Sequence, residues 1–315
     1  MIVEELEKTY VKPFNPDWCA FGRHETFPLR YSWLTKGFHE LRGDSRLFES
    51  EDVTVRLGVG KNMVNAIRYW LQAARLVERK EGRYEPTMLG MHLFDADGYD
   101  PYLEDEATIW LIHWLIATNA QLATAWFWFF NRFHKPEFTA QELATALADF
   151  AKAKINGRTS PKTVKQDASI LLRMYSRSKT SARTPLEDVL DSPLALLGLV
   201  QPDGSGKHFR SLPQRRDVSV GIIGFAVVDL CNALNVSQIP IEHLMYGDRG
   251  SAALGAVFRL TEDALLAKLE LLVREQSGAF AIRETAGIHQ LYLLDEMEPL
   301  EMLAYQYDDA SEAAA

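Results

Sequence analysis

Six carboxylates crowd the stretch "DADGYDPYLEDE": Asp95, Asp97, Asp100, Glu104, Asp105 and Glu106. Acids at this density could hold Mg²⁺ or Mn²⁺ and position a water for phosphodiester hydrolysis, with Asp100, Glu104 and Asp105 as the candidate catalytic groups. The same spacing has a plainer use. Asp100-Pro101 can open a helix, and acids in a first turn complement its dipole. The plainer use is favoured, because no Asp…Asp/Glu-x-Lys nuclease pattern and no His-Asn-His spacing accompanies the cluster. Neither the catalytic residues nor the metal is assigned.

A second candidate is "RLGVGKNMVNAIRYWL", from Arg56 to Leu71. Its Gly-x-Gly-Lys invites a phosphate loop, but that loop needs a Gly five residues before the Gly-Lys pair and a hydroxyl after the Lys. Val55 and Asn62 stand there instead, so no nucleotide site is expected. A third is His208, flanked by Lys207, Arg210, Arg215 and Arg216, which could act as a general acid or, more simply, touch a phosphate. His113, set among Trp110, Leu111 and Trp114, reads as a core histidine bonded to backbone. Cys19 and Cys231 are too few for a zinc site and fit a reduced, cytoplasmic protein.

The elements that must carry these residues follow one rhythm three times: short helix, turn, second helix, then a hairpin. In the first, Ser50 is the expected N-cap of a lead-in helix, Gly58 and Gly60 make a turn, and Lys61 to Ala74 form the second helix. Val64, Ile67, Trp70 and Leu71 share its apolar face; Lys61, Asn62, Asn65, Arg68 and Tyr69 occupy the remainder. "LVERKEGRYEPT" then reads as a hairpin turning at Glu81-Gly82, with Arg79, Lys80 and Arg83 at its tip. This is a winged-helix outline, in which the second helix enters a DNA major groove and the wing touches the backbone. Arg56 and Arg68 are expected on phosphates and Asn65 on a base edge.

The second segment repeats the outline. Thr139 and Glu142 form a capping box, Ser160-Pro161 opens a helix carrying Lys162 and Lys165, and "QPDGSGKHFRSL" is a second wing. The third has helical "TEDALLAKLELLVREQ" and strands in "GAFAIRETAGIHQLYLL". Its lower basic content points to packing or to a homodimer. The fold class expected is mainly α with short β-hairpins, an α+β protein of tandem winged-helix-like modules around a buried helical core. The boundaries read as 1–90 (N-terminal segment and first module), 91–137 (buried helical connector), 138–216 (basic second module), 217–300 (C-terminal module) and 301–315 (acidic, frayed tail).

Charge distribution supports a polyanion contact. The chain carries −9 overall, yet Lys152 to Arg216 holds thirteen Lys/Arg against five Asp/Glu. From Lys152 to Arg183 there are nine basic residues and one acid, Asp167. An acidic protein with one basic stretch suits a directed contact with double-stranded DNA, although the same run could be a solvated helix face. The uncharged run from Ala107 to Phe130 is long enough for a bilayer. Its central Thr118, Asn119, Gln121 and Thr124 instead favour one or two buried helices and no membrane.

Several phrases together carry a resemblance: "ETFPLRYSWLTKGF" (25–38), "LGVGKNMVNAIRYWL" (57–71), "DPYLEDEATIWLIHWLIA" (100–117), "FRSLPQRRDVSVGIIGFAVVD" (209–229) and "GAVFRLTEDALLAKL" (255–269). Over residues 20 to 295 the chain resembles a bacterial domain-of-unknown-function family found beside DNA phosphorothioation and phage-defence genes, the family of the SspB-type DNA-nicking proteins. The resemblance implies a DNA-binding and DNA-nicking protein working with a cysteine desulfurase, an ATP-pyrophosphatase-like sulfur carrier and an ATPase. It transfers no catalytic residue. A non-catalytic winged-helix adaptor and a transcriptional regulator are the alternatives.

Overall fold

In the computed structural model, residues 9–177, 192–247, 250–285 and 287–313 are described; Lys179 and Arg183 of the basic stretch lie outside them. The first segment buries one face of each long helix. Helix α1 (Trp33–Gly43) turns Trp33, Leu34, Phe38 and Leu41 inward. After a 3-10 turn and the short α2 (Val53–Leu57), Gly58 takes the left-handed conformation at φ 64° that closes a helix and favours glycine. The N-cap of α2 is Asp52, and Ser50 bonds to the Asp52 carboxylate instead of capping. Helix α3 (Lys61–Ala73) buries Val64, Ile67, Trp70 and Leu71, as its period requires. Strands β1 (Val77–Lys80) and β2 (Arg83–Pro86) pair across Glu81 and Gly82, both at positive φ, as a two-residue hairpin needs. Helix α4 (Met88–Phe94) follows, capped by the Thr87 hydroxyl.

The uncharged run becomes α5 (Glu106–Ala117) and α6 (Thr124–Arg132). They have 12 and 9 residues, whereas a bilayer span needs about 20. Among the described residues no helix is long and apolar enough to cross a membrane.

Two further segments share a topology. Strand β3 (Glu137–Thr139), α7 (Ala140–Lys154), α8 (Pro161–Tyr175), β4 (Gln201–Pro202) and β5 (His208–Arg210) give the order β3-β5-β4. The Thr139/Glu142 capping box is present at the start of α7. After α9 (Val220–Leu234), strand β6 (Gln238–Pro240) leads through α10 (Ile241–Tyr246), α11 (Leu254–Val257) and α12 (Glu262–Glu275) to β7 (Phe280–Thr285) and β8 (Ile288–Leu293), in the order β6-β8-β7. With thirteen α-helices and three small antiparallel sheets among the described residues, the fold is α+β.

Residues 301–313 of the acidic tail, expected to be frayed, are helical; 314 and 315 lie outside the described residues. Helix α13 (Pro299–Ala313) runs through it, and Met302, Leu303 and Tyr307 are buried. Gly221 and Gly224 of α9 make room for it: a Cβ at either would come within 2.5 Å of Gln306 or 2.4 Å of Met302. The acids concealed a narrow apolar edge whose partner is this glycine groove. Buried side chains from all five expected segments belong to one connected cluster.

Buried polar groups lock the cluster. The Asp229 carboxylate accepts the backbone N–H of Tyr10 and Val11, the Thr9 hydroxyl and the Trp114 indole N–H. Arg259 donates to the carbonyls of Phe129, Phe130 and Phe133, which end α6. His113 lies between the Tyr175 hydroxyl (2.8 Å) and the Val257 carbonyl (2.9 Å). Burial pulls the His113 imidazole down to about 3. The unfolded chain therefore takes up a proton that the folded chain refuses between pH ~6.5 and pH ~3, so acidification destabilises by up to about 1.4 kcal/mol per pH unit. Asp229, raised by burial, acts in the opposite sense. His113→Leu should flatten the acid limb of stability between about pH 6 and 4, read from urea midpoints at each pH.

Candidate nucleic-acid interface

The N-terminal half of α3 exposes Lys61 and Asn62 to solvent, with Asn65 and Arg68 half-buried one and two turns on. Arg68 donates to Asn65 Oδ1 (3.1 Å) and lies over the Tyr84 ring (5.5 Å), which also meets Arg79 (5.8 Å). Tyr84 packs edge-on against Phe48. The hairpin is thus fastened to α3 by an aromatic ring between two guanidinium groups. Beyond that seam Arg83 is exposed, and Lys80 pairs with Glu78 (2.6 Å).

Two residues expected on this surface are committed elsewhere. Arg56 is held by Glu40 (3.0 Å) and Asp44 (2.7 Å), tying α2 to α1. Hydrogen bonds to Asp44 and Glu40 raise its pKa further. Tyr69 is buried, and its hydroxyl donates to the Leu122 carbonyl (2.9 Å). Helical spacing placed Tyr69 beside the polar face, but it lies at the edge of the apolar one.

Helix α8 carries the cleaner basic surface. Lys162, Lys165, Ser169 and Arg173 are exposed at steps of three and four residues, a single stripe along the helix. None of the ion pairs among the described residues includes Lys162, Lys165 or Arg173. Arg173 was missed in the sequence, although its offset of eight from Lys165 already placed it on that face. Asp167, the acid that interrupts the basic run, is 1% exposed and points inward. It accepts the Gly22 N–H (3.0 Å) and bonds to His24 Nε2 (3.0 Å). His24 Nδ1 accepts the Thr26 N–H, so Nε2 carries the proton given to Asp167. The His24 ring stacks on Trp70 of α3 and meets Trp126 edge-on. One buried network therefore couples α8 to α3.

The second hairpin is polar at its tip. Lys207 and His208 are exposed; His208 Nδ1 lies 3.4 Å from Asp203, and Arg210 pairs with Glu137 across the strands (2.9 Å). The Ser205 hydroxyl and the loop N–H groups hold Asp203 down to about 2. Arg215 is exposed. Arg216 is not a surface contact: its guanidinium donates to the carbonyls of Leu197, Leu212 and Arg259, and burial lowers it to about 10.

The acidic loop is built by its own hydrogen bonds. Both Asp100 oxygens accept backbone N–H groups, from Glu104 (2.8 Å) and Asp105 (3.1 Å). Asp105 caps α5 through the Ala107 N–H (2.8 Å), and Glu104 faces solvent. Among the described residues no group of three or more His, Cys, Asp or Glu side chains could hold a metal ion. In this arrangement Asp100 shapes the loop and Asp105 the helix start.

The family model "Protein of unknown function (DUF4007)" matches residues 21–307. The chain belongs to this family. Two solved structures resemble it along nearly their whole length. A magnesium ion-bound SspB crystal structure shares 27% identity at a TM-score of 0.81, covering 94% of this chain and 89% of that one. A second SspB crystal structure shares 26% at 0.80, covering 95% and 90%. No curated protein matches. Magnesium belongs to the first of these structures; in the DUF4007 chain described here Asp105 caps α5 and Asp100 holds the preceding loop. Asp100→Asn and Asp105→Ala should each cost about 0.5–2 kcal/mol of stability, equally in Mg²⁺ and in EDTA, as thermal melts would report.

Proposed function

We propose that this protein binds double-stranded DNA as a component of a phosphorothioation-based anti-phage system. The single observation that carries the reading is the stripe Lys162, Lys165 and Arg173 on α8, whose neighbouring acid Asp167 is withdrawn into the core. Family membership and the likeness to SspB support the system to which it is assigned. In this reading the strand, helix and hairpin orders are winged-helix modules, with α3 and α8 as the groove-facing helices. Lys61, Asn62, Asn65 and Arg68 meet DNA from α3, Lys80 and Arg83 from the first wing, and Lys207, His208, Arg210 and Arg215 from the second. Arg56, Tyr69 and Arg216 take no part. The proteins it works with are those implied by the family: a cysteine desulfurase, an ATP-pyrophosphatase-like protein and an ATPase.

Lys162→Ala/Lys165→Ala should weaken binding to all duplex sequences alike and lower the salt slope of log K by about two, because each charge releases about one counterion. An unchanged slope in fluorescence anisotropy would remove α8 from the interface. Lys61→Ala/Asn62→Ala tests α3 in the same way.

Metal-dependent nicking is a second reading, favoured by the magnesium ion in the SspB relative. Supercoiled plasmid incubated with Mg²⁺ or Mn²⁺, and in parallel with EDTA, should then yield open circles only with metal. Gel-shift binding without open circles assigns the protein to the adaptor class.

A further inference from the structure

Residues 14 to 22 cross the turn between α7 and α8 as a fixed strap. At one end Phe14 stacks on Phe127 (6.3 Å) and meets Phe150 (5.5 Å). At the other, the Ala20 N–H donates to the Thr124 hydroxyl (2.9 Å) and the Gly22 N–H to Asp167 of α8 (3.0 Å). A Cβ at Gly22 would come within 2.6 Å of Thr163, so the strap lies against the first turn of α8. In between, the Asn156 backbone N–H donates to the Pro16 carbonyl (3.1 Å) and its side chain to Asp17 (2.7 Å).

Between these anchors a tight turn holds one side chain out. The Asn15 side chain accepts the Asp17 N–H (2.9 Å), and the Asn15 carbonyl accepts the Trp18 N–H (3.1 Å). Trp18 is 63% exposed, whereas the other six tryptophans are at most 5% exposed. A single small apolar side chain at a surface is ordinary. Here a turn fastened on both sides leaves one of the largest apolar side chains in water.

The surroundings indicate what covers it. Lys154 ends α7, Arg158 follows in the turn and Lys162 opens α8. All three are exposed, and none belongs to an ion pair among the described residues. Asp17 is the one acid of the strap and turn, and it already accepts the Asn156 side chain. An aromatic face among cations suits a nucleic-acid strand, because the charges track the backbone while a base stacks on the ring. In an intact duplex both faces of every base are covered by its neighbours, so a free face occurs only where the stack is interrupted.

We propose that Trp18 stacks on an unpaired base of DNA lying along α8, so that the protein binds gapped duplex in preference to intact duplex. The proposal rests on the DNA-binding reading above and adds to it the class of DNA preferred.

The test uses the full chain, Trp18→Ala and Trp18→Phe, with a labelled short duplex and the same duplex carrying a short single-stranded gap. Fluorescence anisotropy gives the affinities. Iodide quenching reports Trp18 selectively, since the other tryptophans are buried. Wild type should bind the gapped duplex roughly five- to hundredfold more tightly than the intact one, the worth of one base stacked on an aromatic ring. Gapped DNA should also shield Trp18 from iodide. Trp18→Ala should lose the preference while keeping its affinity for intact duplex and its melting temperature, and Trp18→Phe should retain the preference. Equal affinity of the wild type for the two DNAs, or a preference that survives in Trp18→Ala, overturns the proposal and leaves the DNA-binding reading standing. Shielding from iodide that rises with protein concentration alone overturns it in favour of a contact between copies. Failure to bind either DNA removes the DNA-binding reading and this proposal with it.

Discussion

Asp167 sits on a helix whose exposed residues are otherwise cationic or neutral, and it spends its charge inside. Its carboxylate takes an N–H from Gly22, 145 residues upstream, and a proton-bearing nitrogen from His24. A buried carboxylate is tolerable only when its oxygens are matched by donors in this way. Two properties of the molecule depend on the arrangement. The outer face of α8 keeps an uncompensated positive charge, and the N-terminal segment is pinned so that His24 stacks on Trp70. Orientation of α3 and charge on α8 are thus two results of one bond set.

The rest of the interior follows the same logic of long-range polar ties through an aromatic core. Arg259 reaches the open carbonyl end of α6, where backbone acceptors have no helical partner. Asp229 does the equivalent for the extended chain at Tyr10 and Val11. Buried ionic groups of this kind add little net stability compared with apolar packing, but they penalise every alternative arrangement that leaves them unmatched. They join segments that a sequence reading would separate into modules.

Much of the helical skeleton was legible. The apolar face of α3, the Thr139/Glu142 box, the Glu81-Gly82 turn and the core role of His113 each follow from local spacing or local turn chemistry. What was not legible depended on partners far along the chain. Nothing near Arg56 announces that Glu40 and Asp44 will claim it, and nothing near Arg216 announces three waiting carbonyls. The tail read as frayed because its apolar residues are few; the two glycines that receive it lie some eighty residues earlier. In the acidic loop the expected helix start at Asp100-Pro101 was misplaced: Asp100 bonds to the Glu104 and Asp105 N–H groups within a loop, and the helix opens five residues later at Asp105.

The strand orders carry a consequence for how the chain reaches this state. The first hairpin closes across two residues, so its contacts are local and form early. Strand β3, by contrast, pairs with β5 roughly seventy residues later, and β6 finds β8 only after roughly fifty. In each of those sheets one hairpin, β4–β5 or β7–β8, closes locally, and the third strand, β3 or β6, joins only by surrendering the entropy of a large loop. The basic segment lies inside the larger of these two loops, so the outermost strand of its sheet is added across the very residues whose cations α8 aligns.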